Sequence, residues 1–133
     1  MHTREITEDT LAQTLEKPGI VLVDWWASWC GPCVAFGPIY ESVAAKHPDI
    51  VFGKVDTEAQ QELASAFKIR AIPTLMAFRD GVLVFSQAGM LPAAALEELI
   101  KKVRELDMAK IQADIKAAQR ASSPEAETSA PSA

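Results

Sequence analysis

The chain has 133 residues, 49% of them apolar, with a formal net charge of −5. That length holds one domain with a real core. The acidic balance argues against a nucleic-acid partner, whose binders carry basic stripes, and no run approaches the roughly 18 apolar residues of a membrane span. The segment Met1-His2-Thr3-Arg4-Glu5 lacks the basic start and apolar stretch of a signal peptide, so the expected address is cytoplasmic.

A first amphipathic helix is predicted over about Glu8 to Glu16, and Pro18-Gly19 breaks it. Ile20 to Trp26 is short, apolar and rich in β-formers, the pattern of a strand buried on both faces. Trp29-Cys30-Gly31-Pro32-Cys33 follows, then a helical pattern with Phe36, Ile39, Tyr40 and Val43 on one face. Pro38 removes a ladder bond there and should kink the helix; His47-Pro48-Asp49 should end it. Ile50 to Val55 reads as a second buried strand, and Glu58 to Phe67 as a short helix. Thr74 to Arg79 and Val82 to Gln87 flank Asp80-Gly81, a strong hairpin signal because glycine supplies the positive φ of a type I′ turn.

The last helix of the body is predicted to start at Pro92 as its first helical residue, with Leu96, Leu99, Ile100 and Val103 as its core stripe. Glu97–Lys101 and Glu98–Lys102 stand at i,i+4. Beyond Leu106, Met108, Ile111 and Ile115 lie roughly 100° around the axis from that stripe. Either the helix breaks near Asp107 and folds back, or a second stripe meets a different surface. The division is therefore a body over 1–106, a helical extension over 107–120 and a low-complexity tail over 121–133, which has too little apolar surface to offset its ordering entropy. The layout is mixed α/β: parallel strands linked by helices, then an antiparallel hairpin.

The two cysteines carry the chemistry. A secreted disulfide scaffold would usually have more of them, and so short a loop gains little from cross-linking. A closed zinc site needs four ligands. Only His2 and His47 could join the pair, without zinc-finger spacing; both histidines are read as solvated. Haem attachment needs His after the second cysteine, where Val34 stands. Two buried structural thiols remain the bland alternative. Position favours redox chemistry. A cysteine between a buried strand and a helix start faces unpaired N–H groups and the positive end of the dipole, which stabilise the attacking thiolate. Cys30 then attacks, and Cys33, one turn on, resolves.

Asp24 interrupts an apolar strand. It is either a buried carboxyl with a raised pKa, usable as a proton acceptor, or a partly solvated residue near a strand end. Lys54 likewise interrupts its strand; it either partners Asp24 or snorkels outward. Ile72-Pro73 precedes a strand, and by frequency alone its bond is expected to be trans. Trp29 is either site surface or core; Trp25 and Trp26 are read as core.

With these residues in place the chain resembles the thioredoxin family over about Arg4 to Leu106. The carrying residues are Val23 to Cys33, Pro38, Lys54-Val55-Asp56, Ile69 to Thr74, Asp80-Gly81 and Gly89. The resemblance implies a thioredoxin fold, a central mixed sheet flanked by helices. It implies a reversible Cys30–Cys33 disulfide, Asp24 assisting proton transfer at Cys33 with Lys54 beside it, and a cis Pro73 against the pair. Trp29, Gly31, Pro32, Ile72 and Gly89 would bound the substrate groove. It implies a protein-disulfide reductase with no metal and no cofactor of its own, acting on disulfide-containing proteins and recycled by thioredoxin reductase. The Gly-Pro pair goes with the reducing end of the series; thioredoxins sit near −270 mV against a cytosolic pool of roughly −220 to −320 mV. A monomer is expected, with a weak dimer through the extension as the alternative. Trp25 replaces the usual Phe, Val34 a common basic residue and Ala71 a frequent Gly, and the stretch from about Asp107 onward is additional. A non-catalytic scaffold, or an oxidase of an oxidising compartment, are the competing readings.

Overall fold

The computed structural model describes residues 2–121. Its elements run β1 (Thr3–Glu5), α1 (Glu8–Glu16), β2 (Ile20–Trp26), α2 (Gly31–Ala44), β3 (Val51–Asp56), α3 (Gln61–Ala66), β4 (Thr74–Arg79), β5 (Val82–Ala88), α4 (Ala93–Arg104) and α5 (Met108–Ala121). The sheet order is β1-β3-β2-β4-β5. β1, β3 and β2 are parallel; β4 is antiparallel to β2 and β5 to β4.

The apolar run of β2 puts it at the centre, because successive residues bury on opposite faces. Ile20 and Leu22 pack with Phe36, Tyr40, Leu96 and Ile100 under α2 and α4. Val21, Val23 and Trp25 pack with Leu11, Leu63 and Phe67 under α1 and α3. Gly53 of β3 is a close approach. A Cβ there would run into Ile6 Cδ1 and lie 3.3 Å from the Leu22 carbonyl. The Tyr40 hydroxyl, fully buried, donates to the Gly53 carbonyl at 2.8 Å and ties α2 to this strand. Asp80 and Gly81 both have positive φ, 51° and 79°, as a type I′ turn requires.

Several expected boundaries shift. Pro92 is the cap of α4, not its first helical residue, because its ψ of 156° is extended. α2 passes through Pro38 without interruption and ends at Ala44, three residues before His47. α3 begins at Gln61, since Asp56 Oδ1 accepts the N–H groups of Glu58 and Ala59 and holds them in a turn. β1 carries no apolar signal in Thr-Arg-Glu; it exists by pairing with β3. His47 is not solvated. It is part-buried, its Nε2 lies 2.5 Å from Glu97 Oε1, and the Arg104 guanidinium faces its Nδ1 at 3.1 Å. Among the described residues Glu97 therefore pairs with His47, not with Lys101.

The helix does break before Asp107. The Arg79 guanidinium donates to the Val103, Arg104 and Leu106 carbonyls at 2.8, 3.1 and 3.2 Å, taking up the orphan acceptors at the end of α4. Asp107 Oδ1 accepts the Lys110 N–H at 3.1 Å and starts α5. Met108 is the buried residue of α5, which runs on to Ala121. The rest of the low-complexity tail assigned to 121–133 lies outside the described residues. Among the described residues no helix is long and apolar enough to cross a membrane.

Candidate active site

The chain leaves the carboxyl end of β2 and turns straight into α2, so the motif sits at the end of the central strand. Cys30 is the cap of α2, with extended φ and ψ of −89° and 111°. Its Sγ accepts the backbone N–H of Cys33 at 3.2 Å, one of the N–H groups a helix start leaves unpaired. Its carbonyl accepts the Val34 N–H at 3.0 Å. Cys30 and Cys33 form a disulfide, with their Cα atoms 5.2 Å apart. Both are buried, Cys30 at 6% exposed and Cys33 at 2%, against Ala27, Trp26 and Ile72. Cys30 Sγ lies 3.7 Å from the Ile72 carbonyl oxygen.

The Ile72–Pro73 bond is cis, as the resemblance and not the base rate implied. The Pro73 carbonyl accepts the Gly89 N–H at 2.8 Å, which brings two of the groove residues together. Trp29 stands exposed, its indole N–H donating to Glu58 Oε1 at 2.6 Å. A shallow pocket of about 210 Å³ opens beside it, lined by Trp29, Thr57, Ile69, Arg70 and Ile72. Glu58 and Thr57 are residues that sequence reasoning missed. Thr57 donates twice to the Trp26 carbonyl, at 2.8 and 3.0 Å. Nothing local in the sequence marks a contact between positions 29 apart.

Asp24 is fully buried in the Ile20–Leu22–Asp24 row, on the face that α2 covers. Among the described residues neither carboxylate oxygen has a hydrogen-bond partner. Burial raises its carboxyl and the charge of Lys54 pulls it part of the way back, leaving it at about 7. Lys54 lies opposite Asp24 in the β2–β3 register, half-buried, its ammonium 4.5 Å above the Trp26 ring. A Cβ on Gly37 of α2 would lie 4.0 Å from that ammonium. The partly solvated reading of Asp24 is thereby excluded. Trp25 is core, fully buried on Phe67 at 5.2 Å, and Trp26 is partly buried. Among the described residues no cluster of three His, Cys, Asp or Glu is placed to hold a metal. The larger cavity, about 420 Å³ between β5 and α4, is lined by Val84, Leu91, Leu99 and Leu106 and by neither cysteine.

A family model described as Thioredoxin matches residues 2–120. The chain is 54% identical over 110 residues to "Putative thioredoxin 2" of Streptomyces coelicolor, covering 83% of this chain and 82% of that one. It is 41% identical over 99 residues to the thioredoxin of Mycoplasmoides gallisepticum, covering 74% and 96%. Its fold is similar to the solved structure of a mutant thioredoxin from Halobacterium salinarum, with a TM-score of 0.72 and 33% identity over 79% of this chain and 94% of that one.

Proposed function

The chain belongs to the thioredoxin family and is a thiol–disulfide oxidoreductase, and from that premise we propose that it works as a protein-disulfide reductase in which Cys30 attacks and Cys33 resolves. The observation that carries the assignment is Cys30 capping α2. Its sulfur faces the helix N–H groups and the positive dipole end, which lower the cost of a thiolate there. Cys30 is also the more exposed of the two.

In the reduced protein the Cys30 thiolate attacks one sulfur of a substrate disulfide. A mixed disulfide forms and the other substrate sulfur leaves as a thiolate. Asp24 takes the proton of the Cys33 thiol; a carboxyl held at about 7 is matched to that task near neutral pH. The Cys33 thiolate then attacks Cys30 Sγ, and the second substrate thiolate leaves. The two electrons lost by the pair reduce the substrate, and the product is the disulfide seen here. Lys54 tempers the cost of charge on Asp24. Trp29, Gly31, Pro32, Ile72, Pro73 and Gly89 bound the surface on which the substrate lies.

The reduced pair is regenerated by a separate NADPH-dependent thioredoxin reductase, and the chain binds no cofactor itself. A reducing role suits the cytoplasm, where thiols are kept reduced. The protein acts as a monomer. Residues 1–106 carry the activity, and 107–120 are accessory. Insulin reduction with NADPH and thioredoxin reductase tests the reading. A potential near about −120 mV, that of a disulfide-forming oxidase, measured in a glutathione buffer, would count against the reducing direction.

A further inference from the structure

A hollow of about 240 Å³ lies where the end of α3 meets the β4–β5 hairpin, with Lys68, Arg70, Thr74, Ser86 and Gln87 in its wall. Ile69, Arg70 and Ala71 line both this hollow and the shallow pocket beside Trp29, so the two adjoin along one stretch of chain. Among the described residues no Asp or Glu lines either one, in a chain with 18 acidic residues and a net charge of −5.

Lys68 and Arg70 are exposed, and among the described residues neither has an acidic partner. Arg79, Arg104 and Lys110, by contrast, are engaged within the chain. Lone surface cations need no explanation, but the backbone sets Lys68 apart. It ends α3 in the left-handed region, at a φ of 56°. Its N–H donates to the Ser65 carbonyl at 3.0 Å, and the Ile69 N–H donates to the Ala64 carbonyl at 2.9 Å, a closure that favours Gly. Lysine there carries strain that glycine would not. A cation at a helix end suits the dipole, yet that reason does not reach Arg70, in the loop beyond.

Arg70 stands two residues before Ile72, whose carbonyl lies 3.7 Å from Cys30 Sγ. At about 3.3–3.6 Å per residue, at most ~7 Å of chain separates Arg70 from that contact, and ~14 Å separates Lys68. An extended substrate covers the same lengths in two to four residues. We propose that Lys68 and Arg70 form a basic docking site for substrate proteins that carry an Asp or Glu two to four residues from the reactive cysteine. The carboxylate pairs with the two cations, and the Ser86 hydroxyl and Gln87 amide supply further donors. The preference is local, since the net charge of the chain repels acidic partners. It rests on the reductase reading above and names a substrate class for that site.

The test uses the full chain and two disulfide-linked peptides of equal length, identical but for a Glu or a Lys placed within that reach of the reactive cysteine. The wild type is expected to reduce the Glu peptide with a kcat/KM about fivefold above the Lys peptide at about 0.01 M salt, and within about twofold of it at about 1 M salt. The double variant Lys68→Gly, Arg70→Gln keeps the left-handed turn and is expected to lose the preference. Arg70→Glu is expected to invert it. Lys46→Gln, Lys101→Gln makes the same change in net charge at exposed positions on the α2–α4 side of the sheet, and is expected to keep the wild-type ratio. No preference for Glu in the wild type, an undiminished ratio in the first double variant, an unchanged order in Arg70→Glu, or an equal fall in the second double variant would each overturn the proposal. Failure of the wild type to reduce either peptide would overturn the reductase reading itself, and this proposal with it.

Discussion

The Cys33 backbone N–H donates to Cys30 Sγ at 3.2 Å. One residue thus supplies both the partner thiol and a donor that favours negative charge on the attacking sulfur. Cys33 is the inner of the two and lies deeper, which supports the order of attack proposed above.

Cys30→Ser is therefore expected to lower insulin reduction at least about a thousandfold, since the attacking thiol is lost and the remaining Cys33 thiol is buried. Cys33→Ser keeps the nucleophile and loses the resolving thiol, so it should accumulate mixed disulfides visible on a non-reducing gel. A Cys30→Ser variant with wild-type activity would reject the assignment.

Asp24 gives a pH signature. Its carboxyl sits at about 7 in the folded protein against an ordinary 3.8. Between those values the folded chain holds a proton that the unfolded chain has lost. Stability from this residue is complete below pH 3.8 and falls as pH rises through 7. Asp24→Asn should raise unfolding free energy at pH 8, by at most about 4 kcal/mol, and leave it nearly unchanged at pH 3.5. Urea unfolding of the oxidised protein at the two pH values reads this directly. The same variant should slow release of the mixed disulfide at pH 7 by roughly ten- to a hundredfold, because Cys33 loses its proton acceptor.

Gly53→Ala tests the packing beneath the site. The added methyl meets Ile6 Cδ1 and the Leu22 carbonyl, and Ile6 is fully buried. A loss of about 1–3 kcal/mol is expected. Adding Ile6→Val should recover part of it, a coupling that a double-mutant cycle measures. Strictly additive effects would mean that the strain is relieved elsewhere.

Truncation after Leu106 should leave insulin reduction within about twofold. It removes the packing of Met108, worth about 1–3 kcal/mol, and a 14-residue helix that circular dichroism would register as lost. A truncated protein that stays folded but cannot reduce insulin would assign α5 to the active machinery.

Much of the fold was legible because it is written in neighbouring residues. The unbroken apolar run of β2, the Asp80-Gly81 turn and the stripe of α4 are all matters of period and turn chemistry within a few positions. The chemistry of the cysteine pair was legible for the same reason: spacing, a preceding strand and a following helix decide which sulfur meets the dipole. β1 was invisible, since three polar residues at a sheet edge have no pattern of their own and form a strand only by pairing with β3. The start of α3 was misread because Asp56 holds the preceding N–H groups in a turn.

What the sequence determined by itself is the central strand, the helix that follows it and the two cysteines at their junction. Tertiary structure alone decided the rest. Asp24 is desolvated because α2 covers its face of β2. Trp29 meets Glu58, and His47 meets Glu97 and Arg104, through contacts between residues far apart in the chain. Pro73 is cis, and its carbonyl is paired with Gly89. The physical reason is range. Periodicity and capping act over one or two turns, whereas burial, charge partners and an X–Pro isomer depend on which surfaces the assembled sheet brings together.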